Sequence, residues 1–291
     1  MRVALLSRGR TLYSTRRLAE VARKRGHDTR ILDPKRCSIL LEQDGPVVEH
    51  DGLKMSAFDV VIPRFGSVHR ELGFTLVHQF EAAGTHTLNS ALGIALSGHK
   101  FRTLQHLALA GLPTPSTALP TPTDDVARMV ERLGGPPIIL KLERGTQGVG
   151  VIKAESAESA QSTLQALWSL GEEPLLQEWI GESAGTDERC FVVGDRVVGA
   201  MKRVAQPGDF RSNLHRGGEP IPIDIDDDAR DLALRAARQF DLTVAGVDLL
   251  TSERGHLVIE VNASPGLQGI ERATGRDIAR DIIRLAESTH Q

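Results

Sequence analysis

At 291 residues, with 40% hydrophobic and 25% charged side chains, the chain has the make-up of a globular protein of about two domains. A formal net charge of −3 supplies no global basic field, which argues against a direct nucleic-acid binder. The two cysteines, Cys37 and Cys190, form no CxxC and join no His/Cys cluster, so neither a disulfide framework nor a structural zinc site is expected. The apolar run near the start is too short for a signal segment and no stretch reaches membrane-spanning length; the expectation is a cytoplasmic protein without a membrane partner.

In chain order, the first third alternates strand and helix signals. Val3–Leu6 reads as a buried strand, Leu12–Arg25 as a helix ended by Gly26, and Thr29–Leu32 as a strand stopped by Asp33-Pro34. Residues 40–57 predict an irregular or hairpin excursion. Val60–Ile62 is a third strand, and Leu72–Ala83 a helix ended by Gly84. Strand–helix alternation of this kind predicts a parallel sheet covered by helices. Lys100–Ala110 reads as a helix, and Pro113, Pro115, Pro120 and Pro122 then impose an extended entrance to a second region. There Thr123–Leu133 is a helix, Ile138–Lys141 and Val149–Lys153 are strands, Ala157–Leu167 is a helix and Leu175–Gln177 a short strand. Arg189–Val193 and Arg196–Lys202 form a hairpin about Gly194-Asp195. Asp228–Phe240 and Ile278–Ser288 are helices. The architecture is α+β behind an α/β start.

The stretch VDLLTSERGHLVIEVNASPG, Val247 to Gly266, carries the sharpest chemistry. Two apolar runs flank the polar turn Thr251–Gly255, the signature of a hairpin. A register symmetric about Arg254 sets Asp248 opposite Glu260, with Asn262 two residues further on the same face; Val247 and Leu249 face away, opposite Val261 and Ile259. Two carboxylates roughly 5 Å apart at Cβ repel each other. A divalent cation relieves that conflict, and two carboxylates with an amide oxygen suit Mg²⁺.

Lys141 ends a strand and is followed by the glycine-rich run ERGTQGVG, a turn that lets backbone N–H groups approach a phosphate. Its spacing is neither the dinucleotide fingerprint nor a Walker A loop. Glu178 and Trp179, in QEWI, can offer backbone groups to an adenine edge, and Asp187 can accept from ribose hydroxyls, although on their own the first pair reads as a strand end and Asp187 as a solvated loop residue. Lys202, Arg203, Arg211, His215 and Arg216 collect in KRVAQPGDFRSNLHRGG, a basic, glycine-rich segment suited to carboxylates or phosphate oxygens. RNA recognition would call for stacking aromatics, which are only 4% of the chain.

Together, Lys141 with its glycine-rich loop, QEWI, Asp187-x-Arg189, RSNLHRGG, Asp248…Glu260-x-Asn262 and NASPGL resemble the ATP-grasp superfamily, and most closely the RimK-type α-L-glutamate ligases. The resemblance runs over essentially the whole chain; Trp179, where the family often has tyrosine, and the segment SGHK around Lys100 depart from it. It implies an α/β N-terminal domain (residues 1–98), then an α+β ATP-grasp module (99–288) whose two lobes, about 112–175 and 176–288, clamp ATP. It implies Lys141 on the ATP phosphates, Glu178 and Trp179 at adenine, Asp187 at ribose, and Arg211, Ser212 and Asn213 closing over the nucleotide. Asp248, Glu260 and Asn262 would hold two Mg²⁺ or Mn²⁺ ions, and Arg203 and Arg216 are candidates for gripping substrate carboxylates. The implied reaction is ATP-dependent ligation of L-glutamate to a C-terminal carboxylate through an acyl phosphate. The implied acceptor is the sixth protein of the small ribosomal subunit, or a growing poly-α-glutamate, and the implied assembly a homotetramer. The same reaction on a small-molecule or coenzyme acceptor is the alternative. An ATP-binding regulatory module without catalysis is the competing class, disfavoured by the retained Lys141 and acidic triplet; a nicotinamide dehydrogenase is set aside because Ser7–Arg10 lacks the required glycines.

Overall fold

The computed structural model describes residues 1–43, 45–55, 57–66, 70–143, 149–212 and 217–290. Strands β1 (Arg2–Leu6) and β2 (Asp28–Leu32) flank helix α1 (Tyr13–Lys24). The excursion expected at 40–57 is an antiparallel meander of β3 (Cys37–Glu42), β4 (Gly45–His50) and β5 (Leu53–Lys54). The chain then returns through β6 (Val60–Pro63), α2 (Arg70–Ala82) and β7 (His86–Thr87), completing a parallel sheet of order β2-β1-β6-β7. Val3, Leu5, Val60 and Ile62 are buried on one face of that sheet, and Ala4, Leu6 and Val61 on the other, as two covered faces require.

Two helices, α3 (Ala91–Ser97) and α4 (Lys100–Leu109), lead into the second region. Its first sheet, of order β10-β9-β11-β8, is antiparallel and built from β8 (Thr117–Ala118), β9 (Ile138–Leu142), β10 (Val151–Ala154) and β11 (Pro174–Glu178). Helices α5 (Val126–Arg132) and α6 (Ala157–Ser169) cover it, burying Ile138, Leu140 and Leu176. The alternation leaves Ile139, Lys141 and Val151 for the opposite, open face.

The second sheet contains β12 (Thr186–Val193), β13 (Arg196–Val204), β14 (Glu219–Pro222), β15 (Val244–Ser252) and β16 (Gly255–Asn262), in the antiparallel order β14-β13-β12-β15-β16. Gly194, at φ 63°, supplies the left-handed residue of the expected Gly-Asp turn. Between β14 and β15, α7 (Asp227–Arg238) packs on Cys190, Val247, Leu249, Val258 and Val261. After β16 come α8 (Leu267–Thr274) and α9 (Ile278–Thr289). These two pack with α1, β1 and the apolar ends of β12 and β13 into one continuous core, so the N-terminal sheet and the second sheet are joined by burial. Asn89 adds a polar joint: its amide donates to the Val244 and Ala263 carbonyls at 2.7 and 2.8 Å and accepts from the Val244 amide at 3.0 Å.

The hairpin register departs from expectation in one place. Asp248 lies opposite Glu260 and Val247 opposite Val261, as the alternation predicts, but Leu249 pairs with Val258. Ile259 is the extra residue of a β-bulge, and the turn tightens to two residues between Ser252 and Gly255. The bulge lets Val258 and Val261 both reach the core while Ile259 and Glu260, neighbours in sequence, both line the cleft on the other side.

Candidate active site

The strand register assembles the charged groups. Asp187 and Arg189 are two residues apart on β12 and share a face, with Arg203 of β13 opposite Asp187 and Asp248 of β15 opposite Arg189. Arg189 grips Asp248 with two hydrogen bonds, Nε to Oδ1 at 2.6 Å and Nη2 to Oδ2 at 2.7 Å. Arg203 grips Asp187 likewise, at 2.5 and 2.7 Å, and extends Nη2 to Asp248 Oδ2 at 2.7 Å. Ser212 closes the chain by donating to Asp187 Oδ2. Burial opposes the charge on Asp248 and on Arg203. Asp248 nonetheless stays below the usual carboxylate range because Arg189 and Arg203 face it, and Arg203 is held above the usual guanidinium value by Asp248 and Asp187. Two cations and two anions therefore neutralise one another at the sheet surface.

Facing this network across a cleft is the open side of the first sheet. Lys141 projects from β9 into the same cavity as Asp187, Arg203, Asp248 and Glu260. Desolvation lowers its pKa to about 8, against the pull of Glu260 in the other direction. At the hinge between the sheets, Trp179 packs edge-on against Phe210 (centroids 5.8 Å apart) and carries the Lys153 ammonium 4.6 Å above its ring. These walls and the apolar Ile139, Val151 and Leu250 make a slot with an aromatic end and a charged end.

Each expected site residue can be placed within this frame. Lys141, Asp187, Arg203, Ser212, Asp248 and Glu260 converge on the one cleft with Glu178 and Trp179 at its hinge; Asn262 lies next to Glu260, opening on an adjoining cavity. Asp187 is a buried ion-pair member rather than a solvated loop residue, and Arg203, 4% exposed, spends its donors on Asp187 and Asp248. Glu178 is tied by its carboxylate to the Ser116 amide (2.6 Å) and to Arg254 (2.7 Å), and its own amide donates to the Ser116 carbonyl. What it leaves for a base edge is its carbonyl and the Trp179 amide, which among the described residues has no acceptor. Arg211 folds back on Asp209, with bonds of 2.9 and 3.0 Å, and stacks over Phe210. Asn213, Arg216 and the glycine-rich stretch 144–148 lie outside the described residues. Lys100 reaches the Glu143 carbonyl at 2.8 Å and lines the cleft. Sequence reasoning missed Arg189 as a site residue, although its two-residue spacing from Asp187 puts both on one strand face.

Among the described residues no three His, Cys, Asp or Glu side chains converge as a metal cage. The donors on hand are two carboxylates and an amide. Asp248 Oδ2 accepts two hydrogen bonds, which fills it, while Oδ1 accepts one and keeps a lone pair. With its amide oriented to satisfy both neighbours, Asn262 donates to Glu260 Oε1 at 3.2 Å and accepts from Arg189 Nη2 at 3.1 Å. Glu260 has no cationic partner within ion-pair distance among the described residues. A sparse set of hard oxygens around one uncompensated carboxylate fits Mg²⁺, which draws its other ligands from water and phosphate.

Residues 97–286 match the RimK-like ATP-grasp domain family, and residues 1–94 match the RimK PreATP-grasp domain. A Nitrosococcus oceani protein named probable alpha-L-glutamate ligase is 46% identical over 287 residues, which cover 99% of this chain and 95% of that protein. A Hahella chejuensis protein, probable alpha-L-glutamate ligase 1, is also 46% identical, over 100% of this chain and 96% of its own. Among solved structures, the ATP-grasp ligase PsnB complexed with minimal precursor, Mg and ADP superposes at a TM-score of 0.77 with 23% identity, over 99% and 97% of the two chains. A RimK domain ATP-grasp protein from Sphaerobacter thermophilus does so at 0.75 and 21%, over 98% and 99%. At those identities the structural likeness shows the fold.

Proposed function

The chain belongs to the RimK-like ATP-grasp family of ATP-dependent ligases, and from that premise we propose that it joins L-glutamate to an acceptor carboxylate through an acyl phosphate. The observation that carries this reading is the near-complete coverage by relatives named probable alpha-L-glutamate ligase, together with a cleft that sets Lys141 against Glu260.

The aromatic end of the cleft suits the adenine ring, with the Glu178 carbonyl and Trp179 amide at its edge; the charged end suits the phosphates. Lys141 bears on their negative charge, which Arg211 and Asn213 would cover from the second lobe. Asp187 acts by positioning Arg203 and Ser212 rather than by meeting the ribose with a free carboxylate. Asp248 Oδ1, Glu260 and Asn262 would hold Mg²⁺ or Mn²⁺, two ions in this proposal, which neutralises phosphate oxygens as the γ-phosphoryl transfers. The acceptor carboxylate oxygen attacks the γ-phosphorus and ADP leaves. The glutamate amine then attacks the acyl carbon and phosphate departs, with one amine proton lost to solvent. No protein nucleophile is needed, and burial raises the Cys37 and Cys190 thiols to about 11 and about 12, too high to supply thiolate. Arg203, locked between two carboxylates, holds the network in place, which leaves Arg216 as the proposed substrate grip from the basic loop.

The proposed acceptor is a protein C-terminus, the sixth protein of the small ribosomal subunit or a growing α-glutamate chain, in the cytoplasm; the domain boundary at residue 98 and a homotetramer belong to the same proposal. Purified protein with ATP, Mg²⁺ and L-glutamate should release ADP and, with the recombinant acceptor, shift its intact mass by whole glutamyl residues. ADP release with glutamate oligomers and no change in acceptor mass indicates free polymer synthesis, and ADP release only with small carboxylic acids favours the small-acceptor alternative. Glu260→Ala should abolish turnover with the fold kept, and full activity in that variant overturns the metal assignment.

A further inference from the structure

Arg64 follows β6 at the carboxyl end of the N-terminal parallel sheet, the end at which open α/β sheets place their ligands. Its side chain is 9% exposed, and Nη2 donates to the Pro265 carbonyl at 2.6 Å. The Nε and Nη1 groups are sealed and have no hydrogen-bond acceptor among the described residues. Burial without a counter-charge lowers its pKa to about 10. Buried donors without partners are each expensive, and more so on a charged group. A protein keeps such a group where a ligand supplies the missing anion.

The cavity it lines shows which anion fits. Glu260 and Asn262 form one wall, and Arg8 and Arg272 stand exposed at the rim. Two further arginines of the cavity, Arg189 and Arg203, are already neutralised by Asp248 and Asp187. Among the described residues that leaves three guanidinium groups without an acid partner, one at the floor and two at the rim, facing a single carboxylate. The bond to Pro265, three residues beyond Asn262, ties the floor arginine to the loop that leaves β16 directly after Glu260 and Asn262. An anion at Arg64 is therefore held in fixed relation to Glu260 and Asn262.

We propose that Arg64 anchors one carboxylate of the incoming amino acid, and that Arg8 and Arg272 meet the second, so that this cavity selects a dicarboxylate. The assignment rests on the reading that a carboxylate–amine ligation takes place at Glu260. Neutral amino acids would leave the rim charges unanswered, and truncating Arg64 would remove the floor contact while leaving the nucleotide cleft intact.

The test pairs kinetics with direct binding. In ADP-release assays, Arg64→Gln should raise KM for L-glutamate at least tenfold while a fluorescent ATP analogue binds within twofold of wild type. Arg64→Lys, which keeps the charge and loses the planar fork, should recover part of the loss. An unchanged glutamate KM with a lowered melting temperature marks Arg64 as a clamp on the 263–266 loop and overturns the proposal. Calorimetric titration of L-glutamate, with L-glutamine as the neutral control, into protein saturated with a non-hydrolysable ATP analogue and Mg²⁺ separates this inference from the ligase reading. Glutamate binding that Arg64→Gln abolishes, in a protein that releases no ADP with glutamate and either the protein or small-acid acceptors, sustains the anchor and sinks the ligase. Equal binding in the variant, or none in wild type, sinks the anchor.

Discussion

Lys141 is held in an environment that resists its charge, with a pKa near 8 in place of the ordinary value of 10.5. Between those two values the unfolded chain binds the extra proton, so stability rises with pH across that window, and below pH 8 the buried ammonium destabilises the ligand-free fold. Under the proposed function, nucleotide phosphates would supply the missing anions. Lys141→Met should therefore melt at a higher temperature than wild type at pH 7 without ligand, lose turnover, and gain less from ADP and Mg²⁺; scanning calorimetry with and without nucleotide at pH 7 and pH 9 checks all three. A variant that melts lower at pH 7 contradicts the assignment. At this scale the sequence was readable where strand alternation sets which face a residue takes, as with Glu260 and Lys141, which both line the cleft. It was not readable where the role depends on a neighbour across a strand pair. Arg203 looked like a free grip and is instead bonded to Asp187 and Asp248, a fact that only the register of β12, β13 and β15 creates.

At the scale of elements, long periodic segments were legible and short or interrupted ones were not. Helix α8 was missed because Gly269 interrupts its pattern, and β14 because Glu219-Pro220-Ile221-Pro222 lacks two backbone donors. An edge position in its sheet makes those prolines tolerable. The bulge at Ile259 was invisible because LVIEVN alternates well enough to hide an inserted residue. Helix α3 depends on an equally hidden contact. A Cβ on Gly93 would stand 2.2 Å from the Phe240 carbonyl oxygen, a backbone atom with little room to retreat. Gly93→Ala should thus destabilise by about 3 kcal/mol, at the upper end for overpacking, despite its better helix propensity. Urea unfolding checks this, and a neutral or stabilising result would show that the helix can shift away from the Phe240 carbonyl.

For the molecule as a whole, an α/β start followed by an α+β region was legible from pattern, but the division of the latter into two antiparallel sheets and how the parts close on one another were not. No sequence signal announces that α9 covers α1. The apolar stripe Ile278, Ile282, Ile283 and Ala286 meets Leu18, Val21 and Ala22. Arg25 and His27 bind Glu287 (2.6 to 2.8 Å), Arg17 binds Asp277 at 2.9 Å, and Tyr13 binds Glu271 at 2.8 Å. Residues 1–94 match a family domain of their own, yet one face of that sheet is finished by helices from the other region. Expressed alone, residues 1–94 should bind hydrophobic dyes and unfold without a cooperative transition; a sharp transition with dispersed amide resonances would show that the sheet is self-sufficient.

The clasp also governs the order of events during synthesis. Arg25 and Glu287 are separated by 262 residues, so at a translation rate of roughly 5–20 residues per second the first sheet leaves the ribosome many seconds before its cover exists. Through that interval its apolar face is open to chaperones and to neighbouring nascent chains. The core behind the second sheet, which holds Phe191 and Met201 as well as Leu18, is finished only when the far end of the chain folds back over the beginning.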